Sequence, residues 1–118
     1  MEFVIDQKPT RLNRLYGIKT THGGRTIKYK TQAAKDYTQL VRWMLKIQKA
    51  KKIEKPVKMK MEFFWTKKEP DIDAYLKLVL DIFEGFVYEN DKQIKELIVK
   101  KKKSLDKEFK MIIHVDEI

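Results

Sequence analysis

The sequence contains no cysteine, a single serine and only two histidines. Without cysteine, disulfide bonds and thiolate metal sites are excluded. His22 and His114 have no neighbouring ligand at zinc-binding spacing, and Ser104 lies in a lysine run with no histidine near it in the sequence. We therefore expect neither a zinc site nor a serine-hydrolase triad.

Long hydrophobic runs and glycine-rich phosphate loops are also absent. The most apolar window, LKLVLDIFEGF, is interrupted by Lys77, Asp81 and Glu84 and is too short to cross a bilayer. The N-terminal residues MEFVIDQKPTR lack the basic and apolar segments of a signal peptide. Neither GxGxxG nor a Walker loop occurs, so no nucleotide cofactor is expected. These absences predict a soluble, intracellular (cytoplasmic) protein.

Positive charge is what the chain has in excess. Its 27 Lys and Arg residues stand against 17 Asp and Glu residues, which gives a net charge of +10. Such an excess repels itself unless a polyanion is bound, so nucleic acid is the leading partner class, and a merely solvated lysine surface is the alternative. The 118 residues, 42% of them hydrophobic, suit one domain over residues 1–118 with one modest core.

Hydrophobic periodicity predicts six strands and two helices, beginning with a short strand at 2–6. The Gly23-Gly24 pair predicts a hairpin turn between the second and third strands. The hairpin strands are 16–20 and 26–30, and a long amphipathic helix covers about 31–49. VKMKMEFFW at 57–65 alternates cleanly and is the clearest strand. A second helix is predicted over about 71–84, with Gly85 at its C-terminal cap.

The second helix is predicted to bury Leu76, Val79, Leu80 and Phe83. The last two segments, 92–104 and 107–118, are interpreted as a closing antiparallel pair. The order is then β-β-β-α-β-α-β-β. This order predicts an α/β (α+β) fold with a mixed sheet and two main helices.

Acidic residues concentrate around the second helix. Asp71 and Asp73 lie at its start, and Asp91 follows it, where the chain can turn back. Oxygen ligands in such a group suit Mg²⁺ or Mn²⁺, and Lys77, four residues after Asp73, could place an ammonium near a metal-bound phosphate. The structural alternatives are an N-cap at Asp71, a first-turn acid at Asp73 paired with Lys77, and a turn residue at Asp91.

The block PDIDAYLKLVLDIFEGFVYENDKQI resembles the signature of the RusA-type Holliday-junction resolvases. That signature combines Asp-x-Asp-Asn, a lysine four residues after the second Asp, Asp-x-hydrophobic-x-Gly, and a closing Asp-x-Gln-hydrophobic. The matching residues, in register and without a gap, are Asp71, Asp73, Lys77, Asp81, Gly85, Val87, Asp91, Gln93 and Ile94. Looser matches in the N-terminal half are Pro9, Asn13, the GGRT turn at 23–26, and a helix carrying VRWML.

The resemblance implies a small homodimeric endonuclease that binds four-way DNA junctions and cuts two opposing strands symmetrically with a divalent metal. It implies that Asp71, Asp73 and Asp91 are catalytic metal ligands and that Lys77 is a catalytic lysine. Two positions depart from the signature: Ala74 replaces the usual Asn, and Pro70 replaces a basic residue. Lys67 and Lys68 are the displaced substitutes for that residue.

Residues outside the acidic block are candidates for DNA contact and for dimer formation. The predicted DNA-binding residues are Asn13, Arg14, Lys19, Arg25, Lys28, Lys30, Lys67 and Lys68. The lysine runs at 49–52 and 100–103 are either solvated faces or additional phosphate contacts. Trp43, Phe64, Phe86 and Tyr88 have no obvious place in one small core, which favours a homodimer. Flap cleavage, or junction binding with little turnover, are the alternative functions.

Overall fold

The computed structural model describes residues 1–9, 16–20 and 22–118, with only the backbone for residues 16–19, 27, 28 and 30. The strands are β1 (Glu2–Ile5), β2 (Tyr16–Thr20), β3 (Thr26–Lys30), β4 (Val57–Trp65), β5 (Ile94–Lys103) and β6 (Lys110–Glu117), and the helices are α1 (Gln32–Ile47) and α2 (Leu76–Phe83). The predicted element order and the α+β class are therefore confirmed.

The hairpin and the first helix follow local sequence rules. β2 and β3 pair antiparallel around the predicted turn, where Gly24 takes a φ of 80° that L side chains rarely adopt. Thr31 caps α1 by accepting a hydrogen bond from the Ala34 backbone N–H. One stripe of α1 is buried at helical spacing, and its apolar members are Ala34, Tyr37, Val41 and Leu45. α1 thus covers the sheet on one side and exposes its polar face.

The predicted antiparallel pairing of the last two strands is wrong. The four-stranded sheet has the order β1-β6-β4-β5, in which β4 separates β5 from β6. β5 runs parallel to β4, from Val57 opposite Ile94 to Trp65 opposite Lys103, whereas β6 pairs antiparallel with both β4 and β1. Alternating side chains determine which face of a strand is buried, but they do not determine its neighbour.

One face of the sheet carries the core. The inward side chains of β4 are apolar, and they meet those of β1, β6 and both helices. Phe3 packs edge-on against Phe83 of α2, with ring centroids 5.8 Å apart. No helix in the described part of the chain is long and apolar enough to span a membrane.

The second helix is shorter than its sequence pattern predicts. α2 begins at Leu76 rather than Asp71, because the preceding residues form turns in which Ala74 N–H bonds the Asp71 carbonyl (3.0 Å) and Leu76 N–H bonds the Asp73 carbonyl (3.2 Å). The fully buried residues of α2 are Leu78, Val79, Ile82 and Phe83, while Leu76 and Leu80 are only partly buried. The predicted glycine cap is present, since Gly85 has a φ of 78° directly after the helix.

Candidate metal and DNA site

Asp71 and Asp73 lie at the C-terminal end of the parallel pair β4 and β5. Both side chains are exposed, in the turns between β4 and α2. The chain just before them is fastened to β5, because the Lys101 ammonium donates to the Pro70 carbonyl at 2.9 Å and pairs with the Glu69 carboxylate at 3.1 Å. The two carboxylates are therefore presented to solvent from a fixed point at the edge of the sheet.

An aromatic contact holds the other end of this acidic segment. The Tyr75 ring packs edge-on against Phe63 of β4 and against Phe109, with centroids 5.9 Å apart in each case. Burial raises the pKa of the Tyr75 hydroxyl, in keeping with this packing. Asp71 and Asp73 thus lie between two anchors, the Lys101 contact and the Tyr75 contact.

The structure contradicts two of the non-catalytic explanations for these acids, namely an N-cap at Asp71 and a first-turn acid at Asp73. The N-cap of α2 is Tyr75, which makes no side-chain capping bond to the described residues. Asp71 is therefore not the N-cap, and Asp73 lies before the helix rather than one turn from Lys77 within it. Lys77 is the second residue of α2 and is exposed. Helix capping of α2 therefore does not explain why the chain has carboxylates at positions 71 and 73.

Asp91 begins a short 3₁₀ helix, Asp91–Gln93, directly before β5. The amide of Gln93 fixes this turn: its oxygen accepts from the Glu89 and Asn90 backbone N–H groups (2.7 and 2.9 Å). Its nitrogen donates to the Ile53 and Lys55 carbonyls at 2.8 and 3.1 Å. Gln93 therefore ties the Asp91 turn to the segment that enters β4, which gives the glutamine of the signature a positioning role.

The surroundings of Asp91 disfavour its charge. Partial desolvation raises the pKa of the Asp91 carboxyl, and the Glu84 and Asp81 carboxylates raise it further, while a hydrogen bond from the Tyr88 hydroxyl acts in the opposite direction. Tyr88 is fully buried, and burial raises the pKa of its hydroxyl. Its single proton can be donated either to the Leu80 carbonyl, 3.1 Å away, or to the Asp91 carboxylate. Asp91 is thus one of several acids near the C-terminal end of α2.

A single chain holds these acids at opposite ends of α2. Asp71 and Asp73 precede its first residue, whereas the acidic neighbours of Asp91 belong to its last turn and C-cap. An eight-residue helix is about 12 Å long, too far for one cation to be shared. Consistently, no three Asp, Glu or His side chains of the described residues are grouped closely enough to hold a metal ion.

The chain matches the family described as endodeoxyribonuclease RusA over residues 8–115. It belongs to the RusA family. The matched region contains Asp71, Asp73, Lys77 and Asp91, and the family consists of endodeoxyribonucleases that resolve Holliday junctions and bind branched DNA. No curated protein matches the chain.

The basic residues predicted to contact DNA fall in three groups in this RusA-family chain. Lys67 and Lys68 are exposed between β4 and the acidic turns, and Arg25 is exposed at the hairpin turn. Lys19, Lys28 and Lys30 lie on β2 and β3, whose backbone alone is described there. Asn13 and Arg14 lie outside the described residues. Lys67 and Lys68 are therefore the candidates beside the acidic pair.

Lys101 and Lys103 are candidates that the sequence treated only as part of a charged run. Both lie at the end of β5 beside the acidic turns, where Lys101 bonds Pro70 and the Lys103 ammonium lies 5.8 Å from the Trp65 ring centroid. Their position depends on β5 lying parallel beside β4. The predicted antiparallel pairing of β5 with β6 does not place these two lysines beside the acidic turns.

The aromatic residues without a predicted place in the core differ in their burial. Trp43 on α1 has 62% of its surface exposed, in agreement with the prediction. Phe64 is partly buried on the outer face of the sheet between the Lys102 and Lys110 ammonium groups. Phe86 packs partly buried against the core, and Tyr88 is wholly buried within it. The prediction for Tyr88 was wrong, because its side chain belongs to the buried core and its hydroxyl bonds the Leu80 carbonyl of α2.

Proposed function

We propose that this chain is a divalent-metal-dependent endonuclease that resolves four-way DNA junctions by hydrolysing two opposing strands, in recombination and repair. The observation that carries the proposal is the exposed pair Asp71 and Asp73, anchored at the end of β4 and β5 without a capping role. The family match over residues 8–115 and the net charge of +10 support the same reaction on a polyanionic substrate.

Carboxylates of Asp71, Asp73 and Asp91 would hold Mg²⁺ or Mn²⁺. An exposed set of oxygen donors with no sulfur or imidazole suits these hard cations, which usually keep several water ligands. When bound, such an ion activates water and offsets the charge of the phosphate. The protein itself fixes where the carboxylates lie, through the Lys101, Tyr75 and Gln93 contacts.

Lys77 would stabilise the additional negative charge on the phosphate in the transition state. It lies in the first turn of α2 and is exposed, four residues after Asp73 in the sequence. Lys67, Lys68 and Lys103 would contact the flanking phosphates and orient the strand. A group that acts mainly in the transition state lowers the cleavage rate more than the affinity when it is removed.

A second copy of the chain would complete the site. Asp91 cannot reach the Asp71–Asp73 pair within one chain, because α2 separates them. A four-way junction is approximately two-fold symmetric, and symmetric cleavage needs two equivalent sites. A homodimer in which each copy supplies Asp91 to its partner meets both needs with one interface.

Incubation of labelled four-way junction, flap and linear duplex with Mg²⁺ tests the proposal. We expect the junction to be cut into paired nicked duplexes and the other two substrates to be cut far more slowly. Asp71→Asn should abolish cutting, whereas Asp36→Asn should retain it. Asp36 is an exposed acid on α1 whose carboxylate accepts a hydrogen bond from the Gln32 side chain.

Three other outcomes would contradict the proposal. Preferred cutting of the flap would indicate a nuclease for branched intermediates, and tight junction binding without cutting would indicate a binding module. Equal activity of Asp71→Asn and the wild type would contradict the metal-site assignment.

A further inference from the structure

The loop over residues 104–109 joins β5 to β6 across the end of β4. β5 ends opposite Trp65 and β6 begins opposite Phe64, the last two residues of β4. The Ser104 backbone N–H donates to the Trp65 carbonyl at 2.8 Å and fixes the start of the loop there. The chain leaves β4 at the same point to form the acidic turns, so the loop and the carboxylates share one edge of the sheet.

The other end of the loop packs against the segment that follows the acidic turns. The Phe109 ring lies edge-on to the Tyr75 ring, with centroids 5.9 Å apart. Tyr75 is the N-cap of α2, two residues after Asp73. The loop is therefore fastened beside the carboxylates that the proposed function assigns to the metal.

Hydrogen bonds within the loop hold its shape. The buried Ser104 hydroxyl lies 2.6 Å from an Asp106 carboxylate oxygen and 2.7 Å from the Glu108 carbonyl, and its single proton can be donated to either. The Glu108 backbone N–H donates to the same Asp106 oxygen at 3.1 Å. The hydrogen bond from Ser104 is the main cause that lowers the pKa of the Asp106 carboxyl below its ordinary value of 3.8. The Asp106 carboxylate is thus bound within the loop.

Leu105 is the exposed apolar residue of this loop. It is 99% exposed, the largest fraction among the large apolar side chains that the structure describes. The loop thus buries its serine and presents its leucine, the reverse of what folding stability favours. Exposed lysines, Lys103 and Lys107, lie on either side of Leu105 in the chain. An apolar side chain flanked by cations suits base pairs that are stacked between phosphate backbones.

We infer that Leu105 inserts at the branch point of a four-way junction, against a base pair whose stacking the branch interrupts, and that it is a specificity-determining residue. The inference rests on the proposed function for its substrate. Insertion into linear duplex must separate two stacked base pairs, whereas the branch point has already lost that stacking. Leu105 therefore favours branched over linear DNA, while Lys103 and Lys107 add affinity for any DNA.

Binding measured in EDTA, so that no strand is cut, tests the inference. Leu105→Ala should bind the four-way junction about tenfold more weakly than the wild type, because the buried aliphatic contact is lost. Its affinity for linear duplex should stay within about twofold of the wild type, since phosphate contacts supply that affinity. Leu105→Met should restore most of the junction affinity. Leu40→Ala is the matched control, because Leu40 is also an exposed leucine but lies on α1.

The salt dependence of binding separates the leucine from the lysines. Lys107→Ala should weaken binding to junction and duplex alike and reduce the slope of log K against log salt by about 1, because a phosphate contact is lost. Leu105→Ala should leave this slope unchanged. A reduced slope in Leu105→Ala would overturn the inference, because the leucine would then act through the phosphate contacts.

Photocrosslinking locates Leu105 on the DNA. Because the chain contains no cysteine, Leu105→Cys can carry a single benzophenone label. On irradiation, it should crosslink to nucleotides at the branch point, whereas Leu40→Cys with the same label should not. Crosslinks spread evenly along the arms would overturn the inference. A loss of junction affinity in Leu105→Ala that accompanies dimer dissociation in analytical ultracentrifugation would also overturn it, and would assign Leu105 to an interface between copies.

Junction cleavage by the wild type in Mg²⁺ separates this inference from the proposed function. Branch-point crosslinks and weaker junction binding by Leu105→Ala, without any cleavage by the wild type, would support the role of Leu105 and contradict the endonuclease function. Cleavage by the wild type, with junction affinity unchanged in Leu105→Ala, would support the function and overturn the role of Leu105.

Discussion

Asp91 is held in place in surroundings that, on balance, disfavour the charge of its carboxylate. Gln93 fixes its turn, while desolvation, Glu84 and Asp81 raise the pKa of Asp91 against one opposing hydrogen bond from Tyr88. A folded protein that keeps an unfavourable carboxylate in a firmly positioned turn usually has a use for it. Glu62 is the opposite case, because Lys102 and Lys60 surround its carboxylate at 2.6 and 3.7 Å.

Asp91→Asn should abolish junction cleavage without lowering the melting temperature. The substitution removes repulsion from Asp81 and Glu84 but keeps a side chain of the same size, so stability at neutral pH should be unchanged or slightly higher. Junction affinity should be retained or increased, because negative charge facing the phosphates is lost. Calorimetry, a cleavage assay and a binding assay on one preparation check this prediction, and a clear loss of stability would make Asp91 a structural residue.

Glu62→Gln should destabilise the protein by about 1 kcal/mol at pH 7. The hydrogen bond from Lys102 is the main cause that lowers the pKa of Glu62 below its ordinary value of 4.5. A lowered acid pKa stabilises the fold above the unfolded pKa, and this stability is lost as pH falls through the folded value. The difference between variant and wild type should therefore shrink as pH falls below the ordinary value of 4.5 and vanish once pH lies below the lowered pKa of Glu62 in the folded protein.

Urea unfolding of both proteins from pH 7 to pH 3 measures that difference. Glu54→Gln is the control, because Glu54 is exposed in the connection before β4. A difference between Glu62→Gln and the wild type that stays constant over this pH range would contradict the role assigned to the Glu62 charge.

At the scale of elements, α2 is the part of the fold that sets the geometry of the site. Its N-terminus follows the Asp71–Asp73 turns, and its C-terminus is covered by Arg42 of α1. The Arg42 guanidinium donates to the carbonyls of Ile82, Asp81 and Glu84 at 3.1, 3.5 and 3.4 Å. A cation at the end of a helix satisfies free carbonyls and complements the helix dipole.

Arg42→Met should lower the free energy of unfolding by about 1–2 kcal/mol, because the carbonyls at the end of α2 lose their donors while the aliphatic packing is kept. Lys46→Met, at an exposed position in the last turn of α1, should change it by less than about 0.5 kcal/mol. Urea denaturation measures both. Equal effects in the two variants would show that the contact between Arg42 and α2 contributes nothing specific.

The sequence predicts the kinds and order of the elements because apolar periodicity records which face is buried. It does not predict the parallel pairing of β4 and β5, since IKELIVKKKK is largely exposed on both faces and carries no mark of its neighbour. The start of α2 was misplaced because first-turn acids are common in helices, whereas here Tyr75 packs against Phe63 and Phe109 and delays the helix. The acids themselves are predictable from their spacing, but their separation by α2 depends on the sheet order.

At the scale of the molecule, the parallel crossover from β4 through α2 to β5 determines where the acidic residues lie. It places the start of both strands at one end of the sheet and the acidic turns at the other. Asp91 and the Asp71–Asp73 pair are therefore kept apart by topology rather than by the choice of a rotamer. In the homodimer proposed above, a second copy turned by a two-fold axis would bring them together.

Mixing two inactive variants tests this shared site most directly. Asp71→Asn and Asp91→Asn are each expected to be inactive, but their mixed dimer has one site in which every acid is intact. After subunit exchange, the mixture should nick labelled four-way junctions in Mg²⁺, with roughly a quarter of the wild-type number of sites. If a mixture shown to contain mixed dimers cuts no junction while the wild type does, the acids act within one chain and the shared site is wrong.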